Sequence, residues 1–137
     1  MPTMDRMENE YIVYWREDDI LFSSFKSPMV MTVDIIKTAI EMRHNLSDNS
    51  KQYWCSDISL LKEYKKDARD YAEIHGQEFL HATAVIVNSH ITRFILNTFM
   101  KLKRAEIPLQ AFKSKEEAVS WLNELKRINE DKHEFTT

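Results

Sequence analysis

The side chains that could do chemistry in this 137-residue chain are five histidines, one cysteine and 22 acidic residues. A zinc site needs three or four such ligands converging on one ion. His81 opens an apolar segment and His90 follows its end. If that segment is an extended strand they lie roughly 25–30 Å apart and cannot share an ion. His75 is near His81 in sequence, but two histidines without a third defined ligand do not make a zinc site. No metal or other cofactor is expected. Cys55 sits beside Trp54 inside an apolar run, where a thiol behaves as a small hydrophobe rather than as an activated nucleophile. Asp57 with a neighbouring histidine is the remaining acid–base candidate, and no nucleophile–base pairing accompanies it. The chain reads as a non-enzyme.

Phosphate chemistry is constrained by a single glycine, Gly76. Loops that cradle phosphates need several glycines for close backbone approach, which excludes a Walker loop or a dinucleotide fingerprint. The formal net charge of −3 lacks the strongly basic face that nucleic acid requires, and it disfavours an anionic membrane surface equally. No run approaches the 18 or more apolar residues of a membrane span. The charged N-terminus has no apolar core of a secretory signal, and one cysteine fits a reducing compartment. The expected setting is cytoplasmic.

The elements that must position these residues follow from periodicity. With 43% hydrophobic and 30% charged residues, 137 residues fit one globular domain. It is placed at 10–128, with 1–9 and 129–137 as flexible tails. Residues 11–15 and 20–25 are dense in β-branched and aromatic types and are separated by Glu17, Asp18 and Asp19, so they pair as an antiparallel hairpin. Thr32 caps a first helix on which Val33, Ile36 and Ile40 recur at helical spacing. Residues 53–58 form a buried strand. A helix with the narrow stripe Tyr64, Ala68, Tyr71 and Ala72 closes at Gly76. Residues 81–87 form a continuous apolar strand of the kind covered on both faces. Ser89 caps a long helix with Ile91, Phe94, Ile95, Thr98, Phe99 and Leu102 on its core arc. Residues 109–112 are a last strand, and the capping box Ser114-Lys-Glu-Glu117 opens a final helix. The order is β-β-α-β-α-β-α-β-α: an α/β fold with a mainly parallel sheet, an antiparallel N-terminal hairpin and helices packed on one face.

Two surfaces then carry the functional candidates. Open α/β sheets bind ligands outside the carboxyl ends of their strands, which gathers Asp57, Ser59, Asn88, Ser89 and Ser114 at one edge. Helix N-termini there favour a small anionic ligand; the plainer role for Ser89 and Ser114 is capping. On the long helix, Leu96 and Met100 fall on the arc away from the core, among Arg93, Asn97 and Lys101, a composition suited to a protein partner or a second copy of the chain.

The stretches WCSDIS (54–59), HATAVIVNS (81–89), NTFMK (97–101) and IPLQAFKSKEEAVSWL (107–122), in that order and spacing, resemble the STAS domains of anti-sigma-factor antagonists. They are most similar to uncharacterised STAS-like proteins of Bacteroidetes-type bacteria. In the antagonists, a strand ending in Asp-hydrophobic-Ser leads into Asp-Ser-Ser-Gly, whose serine is phosphorylated to switch partner binding. Asp57-Ile58-Ser59 matches the first part, but residues 60–69 read LLKEYKKDAR and the Ser-Ser-Gly switch is missing. The resemblance implies a STAS-like fold and a non-enzymatic protein-binding or regulatory module, a homodimer being one form of it. The alternative is a small-ligand or lipid-binding domain with an apolar pocket under the helices.

Overall fold

The computed structural model describes residues 6–48, 50–100 and 107–136. These form the strands β1 (Arg6–Glu8), β2 (Ile12–Glu17), β3 (Ile20–Phe25), β4 (Met29–Met31), β5 (Gln52–Asp57), β6 (Leu61–Tyr64), β7 (Leu80–Ile86) and β8 (Leu109–Phe112). The helices are α1 (Val33–Ser47), α2 (Lys66–His75), α3 (His90–Met100) and α4 (Lys115–Thr136). Six strands make one sheet in the order β1-β2-β3-β5-β7-β8, and β4 and β6 make a separate parallel pair.

The opening hairpin turns on Asp18 and Asp19, both with positive φ (50° and 66°). A two-residue loop needs that left-handed backbone to match the strand twist, and aspartate tolerates it. Lys126 of α4 ties the turn down through Asp19 at 3.1 Å. Beyond the hairpin, β3-β5, β5-β7 and β7-β8 are all parallel. Each crossover advances the sheet in the same direction, so right-handed connections place α1, α2 and α3 on the same face. A helix after the last strand has no such constraint, and α4 covers the opposite face. There Ala118 and Leu122, both fully buried, pack on Ile20, Phe22, Tyr53, Cys55, Ala82 and Ala84. Helices packed on one face is thus correct for three of the four and is corrected for α4.

Side-chain alternation separates the two cores. Tyr14 and Leu21 join the α1–α3 core through Ile36, Ala39 and Ile40, while Ile20 and Phe22 join the α4 core. Thr32 caps α1, its hydroxyl accepting from the Ile35 N–H at 3.4 Å.

Three further expectations change. Tyr64 ends β6 rather than starting a helix, because residues 61–64 pair with β4. Arg6–Glu8 pairs with β2, held further by the Lys26–Glu8 contact at 3.2 Å, so ordered structure begins before residue 10. At the other end α4 continues past residue 128 to Thr136, and the Asn129 side chain donates to the Tyr53 hydroxyl at 2.6 Å. That bond anchors a stretch expected to lie outside the domain.

Candidate functional site

The carboxyl edge of the sheet brings the predicted ligand residues onto adjacent strands. Asp57 is in register with Ile86, and Ile86 with Phe112, so the segments after β5, β7 and β8 emerge side by side. Asp57 closes the turn into β6: its Oδ1 accepts from the backbone N–H of Ser59 at 2.9 Å and from the Ser59 hydroxyl. Ser89 caps α3, accepting from the Thr92 N–H at 3.2 Å, while Thr92 Oγ1 accepts in return from the Ser89 N–H at 3.2 Å. Ser114 accepts from the Glu117 N–H at 3.2 Å. Asn88 is exposed in the β7–α3 connection.

The partner surface expected on α3 is out of phase. Leu96 is only 3% exposed and packs with Val85 and Val87. Ile91 and Phe94, placed on the core arc by periodicity, are 56% and 75% exposed. The helix is apolar on more than one side, and what sets its phase is a polar residue. Thr92 is 1% exposed because its hydroxyl is satisfied by Ser89, donating to the Ser89 carbonyl at 3.2 Å. Arg93 and Asn97 are exposed; Lys101 and the side chain of Met100 lie outside the described residues.

Among the described residues an apolar concave site lies elsewhere. Between the sheet and α1–α3 lies a cavity of about 180 Å³, partly open to solvent. Its floor is Trp54, Ser56, Thr83, Val85 and Leu109, and its roof is Ile36 and Ile40 of α1, Ala72 of α2 and Ile95 and Leu96 of α3. Arg43, Gly76, Gln77 and Leu80 close the end nearest the start of β7, with Tyr14 and Tyr64 on the walls. None of Asp57, Ser59, Asn88, Ser89 or Ser114 lines it.

Arg43 is the largest fully buried side chain of the chain's described residues, at 1% exposure. Its guanidinium donates to the carbonyl oxygens of Glu78 at 3.0 Å and Gly76 at 3.1 Å, and it lies 5.1 Å from the Trp54 ring centroid. These bonds hold the α2–β7 turn, in which Phe79 takes a left-handed φ of 60°. Gly76 is required for a different reason. Its φ is −80°, but a Cβ there would sit 2.4 Å from the Ala72 carbonyl oxygen. Burial pushes the Arg43 pKa down, opposed by Tyr14 and Glu78. The Tyr14 hydroxyl donates to the Ala39 carbonyl at 2.9 Å, and burial pushes the Tyr14 and Tyr64 phenols well above their ordinary range.

Arg43 had a signal in the sequence: it continues the inward series Ile36, Ile40, Arg43, Ser47 of α1, all but the arginine and the serine apolar. A charged residue in phase with a core stripe is a buried charge. Cys55 is 1% exposed, and burial pushes its thiol up to about 11. Among the described residues no three His, Cys, Asp or Glu side chains are grouped to hold a metal ion, and no helix is long and apolar enough to cross a membrane.

Comparison with known proteins places this architecture. Residues 14–126 match the family described as Domain of unknown function (DUF7793), and the chain belongs to that family. Among curated proteins, nothing matches. Among solved structures, the chain is similar to an uncharacterized protein of the DUF3478 family with a SpoIIAA-like fold from Shewanella loihica PV-4. The two share 17% identity and a TM-score of 0.57, over 85% of this chain and 98% of that one. The fold is STAS-like.

Proposed function

We propose that this STAS-like DUF7793 domain works by binding, taking up a small apolar or amphiphilic molecule in the cavity beneath α1–α3. The observation that carries this reading is the cavity itself: about 180 Å³, walled mainly by aliphatic and aromatic side chains with a few polar groups, which is the usual make-up of a small-molecule site. The chemistry of the wall suits holding rather than reacting. Tyr14 and Tyr64 are pushed up by burial, away from the range in which a phenol exchanges protons readily.

A protein-contact role is compatible with the same helix. α3 turns Ile95 and Leu96 inward to the cavity and Ile91 outward to 56% exposure, so occupancy inside and a regulatory partner or second copy outside would meet on one element. The lone buried thiol of Cys55 suits a cytoplasmic setting.

Thermal unfolding with and without 1-octanol tests the binding reading. A ligand at about 100 times its dissociation constant adds about 2.7 kcal/mol to stability, so the midpoint should rise by several degrees. A midpoint left unchanged or lowered by 1-octanol and by octanoate alike would overturn the proposal, since an amphiphile that finds no site acts only as a weak denaturant.

A further inference from the structure

Resting on that reading, we infer that the molecule the cavity takes is a monoanion: a carboxylic acid with an apolar body of about eight carbons, its carboxylate against the guanidinium of Arg43. The argument begins with an imbalance of charge. Arg43 is 1% exposed and lines a cavity walled mainly by apolar side chains. Its hydrogen-bond partners are the neutral carbonyls of Gly76 and Glu78. A buried cation is costly unless it is paired, and partial charges on two carbonyls and the face of Trp54 offset only part of that cost. Two carboxylates lie nearby, neither of them hydrogen-bonded to Arg43: that of Glu78, whose charge acts on the guanidinium from an exposed position 3.6 Å from His75, and that of Glu73 on the cavity wall, partly exposed on α2. A ligand carboxylate supplies the directly bonded anion that neither of them provides, in the geometry a guanidinium fork recognises best.

Size and shape narrow the class further. An apolar cavity of about 150 Å³ accommodates benzene, so about 180 Å³ holds a body of the order of eight carbons and excludes a two-chain lipid. The floor runs from Leu80 to Val85 along β7, about 16 Å of strand, which suits an elongated ligand lying along the sheet with its head at the Arg43 end.

Arg43 also staples the α2–β7 turn, and that role asks only for donors, not for a charge. The two roles separate when the charge of the ligand, rather than that of the protein, is varied. Octanoate and 1-octanol, titrated at neutral pH into the full chain by calorimetry, are both linear eight-carbon molecules and differ in the charge of the head. The expected result is at least about tenfold tighter binding of octanoate. In a folded Arg43→Met variant that preference should vanish while octanol still binds, and Arg43→Lys should retain part of it. Equal binding of the two probes to the unaltered chain would overturn the inference while leaving the binding reading intact. So would a preference that persists in folded Arg43→Met. Binding of neither probe would overturn the reading itself. If Arg43→Met does not fold, the octanoate-to-octanol ratio on the unaltered chain decides alone.

Discussion

The two faces of the sheet are built from the same strands and differ in how completely they are filled. On the α4 face, Ala82 and Ala84 of β7 leave room for the helix to approach, and Ala118 and Leu122 are fully buried against them. On the α1–α3 face the intervening residues Thr83 and Val85 look into a cavity with a buried arginine at its end. Alternation along one strand thus supplies a dense structural core on one side and a hollow one on the other. The dense face stabilises the fold, and the hollow face is where a ligand would be held.

That contrast can be broken from either side. The largest effect is expected on the dense face: Leu122→Ala should cost about 2–5 kcal/mol in denaturant unfolding and, in the fraction that stays folded, leave octanol affinity unchanged. Gly76→Ala acts on the hollow face. Its new methyl would meet the Ala72 carbonyl oxygen at 2.4 Å, displacing the turn whose Gly76 carbonyl receives Arg43. A loss of about 1–3 kcal/mol should be accompanied by weaker octanoate binding in calorimetry. Ala72→Leu should do the reverse. It places extra carbons in the cavity, shifts stability by about 1 kcal/mol or less in the stabilising direction, and abolishes the thermal response to octanol.

The smallest effect concerns pH. Burial, and after it the Arg43 charge, holds the His44 imidazole below its ordinary value, and its Nε2 is buried with no hydrogen-bond partner among the described residues. Burial does the same to His81. For such a group the folded chain binds fewer protons than the unfolded chain. The stability is therefore present above the ordinary histidine value of about 6.5 and lost as pH falls below it towards the folded value. Between about pH 7.5 and 5.5 the unfolding midpoint should fall, and His44→Gln should flatten part of that fall.

Much of the frame was legible in the residues. The hairpin around Asp18 and Asp19, the cap at Thr32 and the strand at 81–87 are local signals, and local signals survive folding. The face taken by α4 was not local, yet the strand at 81–87 had asked for cover on both sides through its unbroken apolar run. Phase on α3 was illegible because Ile91, Phe94, Ile95 and Leu96 crowd one short helix, and the deciding residue, Thr92, is polar and buried only by virtue of its bond to Ser89. The strand ends that carry Asp57, Asn88 and Ser114 emerge side by side, but the bonds of these residues within turns and caps are a matter of side-chain geometry that spacing does not carry. The cavity is less legible still. A void is what side chains from eight elements fail to fill, and no residue announces it; only Arg43, in phase with a core stripe, marks its end.

The central claim is that binding belongs to the hollow face. Backbone amide shifts during titration with 1-octanol test it most directly. The expected perturbations fall on Thr83, Val85, Ile95 and Leu96, with Ala118 and Leu122 unmoved. Shifts confined to Asp57, Ser89 and Ser114 at the carboxyl edge, or no saturable shifts at all, would contradict it.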